Sequence, residues 1–239
     1  MILSSYSFTS PGGQQVNQTT AACYEADNSG IYVVGASLDA IQMGSASSDY
    51  VADSIIVAWR QSDTVISPQW MQEKVGQTDR QLLWHGNENR RPMLSTAAVL
   101  SVIRDSAVWA CTGSVRLYHF QNGRIMHAVN GGFPALENTD RENSKSSVAD
   151  SSLKNDEKLR FLGSEGNWEL ITGSCSILPK DAFLLCTNGF WKYVTDSEML
   201  IDLLKSGTLE EWGTHMLLRL MSRVAPGNDS FAFLLVSVD

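Results

Sequence analysis

The chain has 239 residues and a formal net charge of −8, a length that fits one domain of ordinary upper size or two small ones. The negative charge leaves no basic footprint for nucleic acid and disfavours an anionic membrane surface. No run approaches the ~18 to 20 apolar residues of a membrane span, and no signal peptide is evident. The four cysteines are widely spaced without a CxxC pair, so a zinc site is not expected and a cytoplasmic, reducing compartment is the simplest assignment.

Hydrophobic patterning predicts strands and helices in a mixed order along the chain. The predicted strands cover 31–34, 96–104, 107–112, 115–121, 124–129, 182–186 and 231–238. The predicted helices cover 45–61, 67–84, 196–204 and a segment that begins at 208. Ser67-Pro68 is typical of a helix start, and Thr208 with Glu211 predicts a capping box.

Tight turns join the central strands. Asn122-Gly123 suits the positive φ angles of a two-residue type I′ hairpin, and a second turn is predicted over 104–107. Three sequential strands joined by tight turns are therefore predicted to form an antiparallel meander. By itself this order of elements predicts only an α+β fold.

One segment, from about 136 to 160, differs from the rest of a predicted single domain over 1–239. It is polar, serine-rich and nearly balanced in charge, so it cannot bury much apolar area. It is either a solvated loop without a task or a flap that binds a partner or gates a site, since long loops in compact domains are often functional.

Five short motifs occur in an order that resembles one known family. They are GGQQVNQT at 12–19, IYVVGASLDA at 31–40, ACTGSVRLY at 110–118, FLLCTNGFW at 183–191 and GNDS at 227–230. The set is similar to the motifs of the metal-dependent protein phosphatases (PPM, or type 2C), and its compact length resembles bacterial members. The resemblance implies a four-layer α/β/β/α sandwich of two antiparallel sheets flanked by helices, with a metal site at one edge.

The resemblance also identifies positions where the family carries charge and this chain does not. The family's metal-binding acids fall on neutral residues, its phosphate-binding arginine falls on Gln14, and the backbone carbonyl of Ser37 could still coordinate. The neutral positions are Thr19, Ala36, Ser114, Asn188 and Gly227. Neutral ligands do not offset the repulsion between two divalent cations. The family arginine at Arg116 is retained, either for function or to brace the strands.

The leading interpretation is therefore a catalytically inactive homologue, without a cofactor, that binds or scaffolds a protein such as a phosphoprotein or a kinase. One alternative is a weakly active Ser/Thr phosphatase that holds Mg²⁺ or Mn²⁺ in a reduced or relocated site built from Asp39, Asn188 and Asp229. Another is an interaction domain unrelated to phosphoproteins. The oligomeric state and the pathway are left open. His119 and His127 either face each other across the hairpin or are ordinary strand residues.

Overall fold

Two antiparallel sheets form the centre of the protein. The computed structural model describes residues 2–38, 43–131, 161–165 and 169–239. Within these ranges, sheet A contains, in spatial order, β1 (Leu3–Ser10), β10 (Phe231–Val238), β9 (Ala182–Thr187), β6 (Val115–Gln121) and β7 (Arg124–Asn130). Sheet B contains β2 (Thr19–Ala26), β3 (Ser29–Ser37), β4 (Ser95–Ile103), β5 (Ser106–Thr112) and β8 (Ile171–Ser176).

Successive residues of each strand point to opposite faces of their sheet. Each sheet therefore packs on both faces, one against the other sheet and one against helices. The inner faces pack against each other and bury Tyr32, Leu100, Leu117, Leu185 and Leu234. The outer face of sheet B is covered by α1 (Ala46–Arg60) and α2 (Pro68–Glu88). The outer face of sheet A is covered by α3 (Asn188–Trp191), α4 (Asp196–Lys205) and α5 (Leu209–Met221). The predicted four-layer sandwich is confirmed.

The predicted hairpin is also confirmed, and its geometry shows why. Asn122 and Gly123 have φ angles of 52° and 70°, and Gln121 pairs with Arg124 across the turn. Both central residues of a type I′ turn need positive φ, which asparagine and glycine tolerate best. The turn sets the register as far as Phe120 and Ile125, and a β-bulge between His119 and Phe120 then shifts it by one residue and places His119 opposite His127.

Several elements differ from the prediction. Strands β1, β2 and β8 were missed, because their alternating small polar residues, as in LSSYSFTS, are typical of loops as well as of half-exposed strands. The capping box predicted at Thr208 is incomplete, since the Glu211 carboxylate accepts from the backbone N–H of Gly207 instead of that of Thr208. A complete box lies at Thr195 and Glu198.

The predicted flap at 136–160 lies outside the described residues, as does Asp39. Among the helices of the described ranges, none has the length and hydropathy that crossing a membrane requires.

The inner core predicts a large stability cost for truncation. Leu185 is fully buried between the sheets, so Leu185→Ala should lower the free energy of unfolding by about 2–5 kcal/mol through lost transfer energy and a cavity. Leu218→Ala is the matched control, because Leu218 is 65% exposed on α5 and should change stability by less than about 0.5 kcal/mol. Urea unfolding of both variants checks this. Equal losses would contradict the layer assignment.

Candidate active site

Eight strand ends meet at one edge of the sandwich, which we call the site edge. In sheet A, Ser10 pairs with Phe231, and Val115 pairs with Thr187. In sheet B, Thr19 pairs with Ala36, and Ser37 pairs with Ser95. The connection from β5 to β6 consists only of Gly113 and Ser114, so the two sheets must end together. The family-matched positions all lie in or beside these strand ends.

Thr19 and Ala36 lie on the inner face of sheet B. They are direct partners in the β2–β3 register, and both are largely buried. The Thr19 hydroxyl lies 2.8 Å from Asn17 Oδ1 and 3.1 Å from the Phe231 carbonyl oxygen in sheet A. The Ala36 N–H donates to Thr96 Oγ1 at 3.0 Å. Neutral hydrogen bonds therefore occupy positions where the resemblance places charged ligands, and the one from Thr19 to Phe231 links the two sheets.

Ser114 and Asn188 flank the paired ends of β6 and β9, Val115 and Thr187, at the same edge. The Ser114 carbonyl accepts from the indole N–H of Trp191 at 3.1 Å. Asn188 follows Thr187 directly and begins α3. Its half-buried amide makes no hydrogen bond to any residue of the described ranges, so its side-chain oxygen is available to a ligand.

Gln14, at the position of the family's phosphate-binding arginine, makes hydrogen bonds within the protein. Its amide Nε2 donates to the carbonyl oxygens of Gly227 and Asn228 at 3.0 and 3.3 Å. The two loops are in close contact, since a Cβ on Gly13 would lie 2.4 Å from the Gly227 Cα. Gly227 itself has φ of +83°, a conformation that is uncommon for a side chain other than asparagine or aspartate. At Gly227 the chain therefore has both a missing carboxylate and a backbone conformation that favours glycine.

Asp229 is the described carboxylate closest in sequence to these positions. Its Oδ2 lies 3.4 Å from Lys192 Nζ, and both side chains are largely exposed. A Cβ on Gly189 would lie 2.3 Å from the Ser230 carbonyl oxygen. Asn188 and Asp229 each directly precede one of these two packed residues, so their backbones lie close together at the site edge. The third predicted ligand, Asp39, lies outside the described residues.

Sequence reasoning missed a further carboxylate near the edge. Asp49, in the first turn of α1, accepts hydrogen bonds from the hydroxyls of Thr20 and Ser45. Ser37 Oγ accepts from the backbone N–H of Ser48 at 3.0 Å. This network lies on the outer face of sheet B, opposite to Thr19 and Ala36. An acid in the first turn of an amphipathic helix is the sequence signal that could have identified it.

Arg116 braces the strands and helices. Its guanidinium lies 3.9 Å from the centre of the Trp191 ring, and Nη1 donates to the Tyr118 hydroxyl at 3.1 Å. It lies on the outer face of sheet A with Tyr118 and Cys186. Burial raises the pKa of the Cys186 thiol and of the Tyr118 hydroxyl far above their usual ranges, so neither group is an available base or nucleophile.

The described residues do not fit a pair of divalent cations. Such a pair needs several carboxylates to offset its charge. Among the family-matched positions and their described neighbours, Asp229 is free of protein hydroxyl donors, whereas Asp49 already accepts from Thr20 and Ser45 on the outer face of sheet B; the other ligand atoms are amide, hydroxyl and carbonyl oxygens. These neutral oxygens are nevertheless ligands that Mg²⁺ and Mn²⁺ accept. A single cation with fewer charged ligands is therefore chemically consistent with Asn188 and Asp229.

Comparisons with known proteins bear on these expectations. No protein-family model matches the chain. The serine/threonine phosphatase Stp of Listeria monocytogenes is 25% identical over 232 residues, covering 93% of this chain and 90% of the relative. A serine/threonine phosphatase of S. agalactiae has a TM-score of 0.80 at 14% identity, with all of both chains covered. The catalytic domain of the phosphatase PstP, in complex with two manganese ions, has a TM-score of 0.74 at 14% identity and covers 99% of each chain.

Two expectations are thereby corrected. Catalytic inactivity as the leading interpretation is contradicted, because the relatives are named as phosphatases. The expected lack of a cofactor is contradicted by the two manganese ions of the PstP structure. Both expectations gave the loss of the acidic ligands more weight than the remaining oxygen ligands, among them the Asn188 amide oxygen. Motifs, fold and relatives together confirm the resemblance to the PPM-type serine/threonine phosphatase family over most of the chain.

Proposed function

We propose that the protein is a metal-dependent serine/threonine protein phosphatase whose metal site is reduced. The observation that carries the proposal is the match to the Listeria phosphatase over 93% of the chain. The gathering of eight strand ends at the site edge supports it, because the motif positions share that edge. The proposed substrates are phosphoserine or phosphothreonine side chains of a protein partner.

The proposed metal ligands are the Asn188 amide oxygen and the Asp229 carboxylate, with Asp39 as a candidate from the sequence. A bound Mg²⁺ or Mn²⁺ would lower the pKa of a water and polarise a phosphoryl oxygen. Asn188 is suited to this role because its amide is not engaged by another described residue. Asp229 would exchange its exposed contact with Lys192 for a shared position beside the cation.

Turnover is expected to be slow for a reason visible at Gln14. The family arginine would bind phosphate through two parallel charge-assisted hydrogen bonds. Gln14 is uncharged, and its amide donors already contact the Gly227 and Asn228 carbonyls. Substrate binding then depends on the cation and on contacts with the protein partner.

A cytoplasmic location completes the proposal. All four cysteines are free thiols, which is consistent with a reducing compartment. Neither a nucleic acid nor a membrane is proposed as a partner, given the formal charge of −8.

The activity prediction concerns phosphate release from a phosphothreonine peptide. The wild-type protein should release phosphate with Mn²⁺ and not with EDTA. Asp229→Asn should lower the rate by about 10–100-fold, a loss typical of disturbing a metal site. Malachite-green detection of phosphate, with the Listeria relative as positive control, measures both.

Lys192→Gln is the matched control for that variant. It removes the 3.4 Å ion pair with Asp229 but leaves the carboxylate, so the rate should stay near that of the wild type. No release by the wild-type protein with either Mn²⁺ or Mg²⁺ would overturn the proposal. An equal loss in Lys192→Gln and Asp229→Asn would assign Asp229 to the ion pair alone.

Restoring one carboxylate should strengthen the metal site. Asn188→Asp adds a full negative charge to an unengaged position, so Mn²⁺ affinity measured by isothermal titration should rise by about tenfold or more. Asn122→Asp is charge-matched and lies in the distant hairpin turn, where Asp-Gly is also accepted; it should leave the affinity unchanged. A rise in both variants would indicate nonspecific attraction, and no rise in Asn188→Asp would remove this residue from the site.

A further inference from the structure

A second cluster of metal-ligating side chains lies between the sheets, away from the site edge. It consists of His119 on β6, His127 on β7 and Cys175 on β8, and their ligand atoms all lie within 4.8 Å of one another. His119 is four residues from Val115 along β6, so about 13 Å of strand separates it from the site edge. Cys175 pairs with Ala107, at the end of β5 far from that edge. We call this the flank cluster.

The sandwich brings these residues together from both sheets. His119 and His127 pair directly in the β6–β7 register, and their rings stack with centroids 5.7 Å apart. Cys175 belongs to sheet B and packs against the inner core. Strands β7 and β8 are the last strands at one side of their sheets. The cluster is therefore at the lateral opening of the sandwich, with His127 and Cys175 partly accessible to solvent.

A buried carboxylate orients His119 for metal binding. Asp181 is almost fully buried, and its Oδ2 lies 2.8 Å from His119 Nε2. The same oxygen accepts from Gln121 Nε2 at 2.9 Å and from the Leu178 N–H at 3.0 Å. The Asp181 carboxylate accepts a hydrogen bond from His119 Nε2–H, so the proton of the neutral imidazole is on Nε2. Nδ1 then carries the lone pair that can bind a metal. This carboxylate–histidine arrangement is the one that typically supports a metal-bound imidazole.

The free nitrogen faces the cysteine at a distance suited to chelation. His119 Nδ1 and Cys175 Sγ are 3.7 Å apart. Tetrahedral Zn²⁺, with Zn–N of about 2.0–2.1 Å and Zn–S of about 2.3 Å, separates two such ligands by about 3.5 Å. The ring of His119 is further fixed by Phe183, which stacks on it at 4.5 Å. Half-buried His127 offers a third ligand atom, a ring nitrogen within 4.8 Å of the other two.

We propose that the flank cluster binds one Zn²⁺ through His119 Nδ1, an imidazole nitrogen of His127 and Cys175 Sγ, with the fourth position open to water. Nitrogen and thiolate ligands select this class of ion over Mg²⁺ and Mn²⁺. On binding, the Cys175 thiol loses its proton to solvent and forms the metal–sulfur bond. The ion would link sheet A to sheet B at the lateral opening. This site is separate from the proposed phosphatase site and does not depend on it.

Cobalt titration of the full chain tests the proposal. Co²⁺ replaces Zn²⁺ in such sites, and a thiolate bound to it gives a near-ultraviolet charge-transfer band. The band should saturate at one equivalent and disappear when Zn²⁺ is added. It should be absent in Cys175→Ser, and the affinity should fall at least tenfold in His127→Ala. Asp181→Asn should weaken affinity by about 10–100-fold while keeping the band.

Cys23→Ser is the matched control, because Cys23 is an exposed free thiol on another strand; its band should equal that of the wild type. Asp229→Asn should also keep the band, which separates this result from any failure at the site edge. Circular dichroism of each variant verifies folding. No band in the folded wild type, or a band that persists in Cys175→Ser, would overturn the proposal.

Discussion

The short connection between β5 and β6 is the constraint on which the site edge depends. Two residues, Gly113 and Ser114, carry the chain from sheet B to sheet A, so the sheets stack with their ends in line. The burial of both inner faces then holds this alignment, at a gain of about 25 cal/mol for each Å² of apolar surface removed from water. Loops from eight strands can contribute to one small region only because the strands end together.

The chemistry at that edge reflects a balance between repulsion and ligand strength. A cluster of carboxylates needs cations to offset its own repulsion, whereas Thr19, Thr187 and Thr96 are satisfied by backbone groups. Neutral hydrogen bonds therefore stabilise this part of the site edge without the need for a cation. Asn188 and Asp229 differ: among the described residues, the Asn188 amide has no hydrogen-bond partner and the Asp229 carboxylate is paired only with the exposed Lys192. A cation at these two positions would displace fewer existing contacts than at the threonines.

The motif order sufficed to predict the fold and the edge, because each motif sits where a strand enters a loop. Local chemistry also fixed the Asn122-Gly123 hairpin. The half-exposed strands β1 and β8 escaped prediction, since their serine-rich alternation does not distinguish strand from loop. The role of Gln14 could not be read from its type, because its contacts are with residues 227 and 228, more than 200 positions away.

The flank cluster could not be predicted from the sequence either. Cys175 is 56 residues from His119, and no local spacing rule connects them. Their contact arises from the stacking of β8 over β6 and β7, a property of tertiary structure. Strand-borne ligands are held by the ladders on either side, so their geometry is set by the fold itself. The site edge instead takes its ligands from connections between strands. One sandwich can therefore present oxygen ligands at its end and nitrogen and sulfur ligands at its side, and ligand chemistry separates the cations that each would bind.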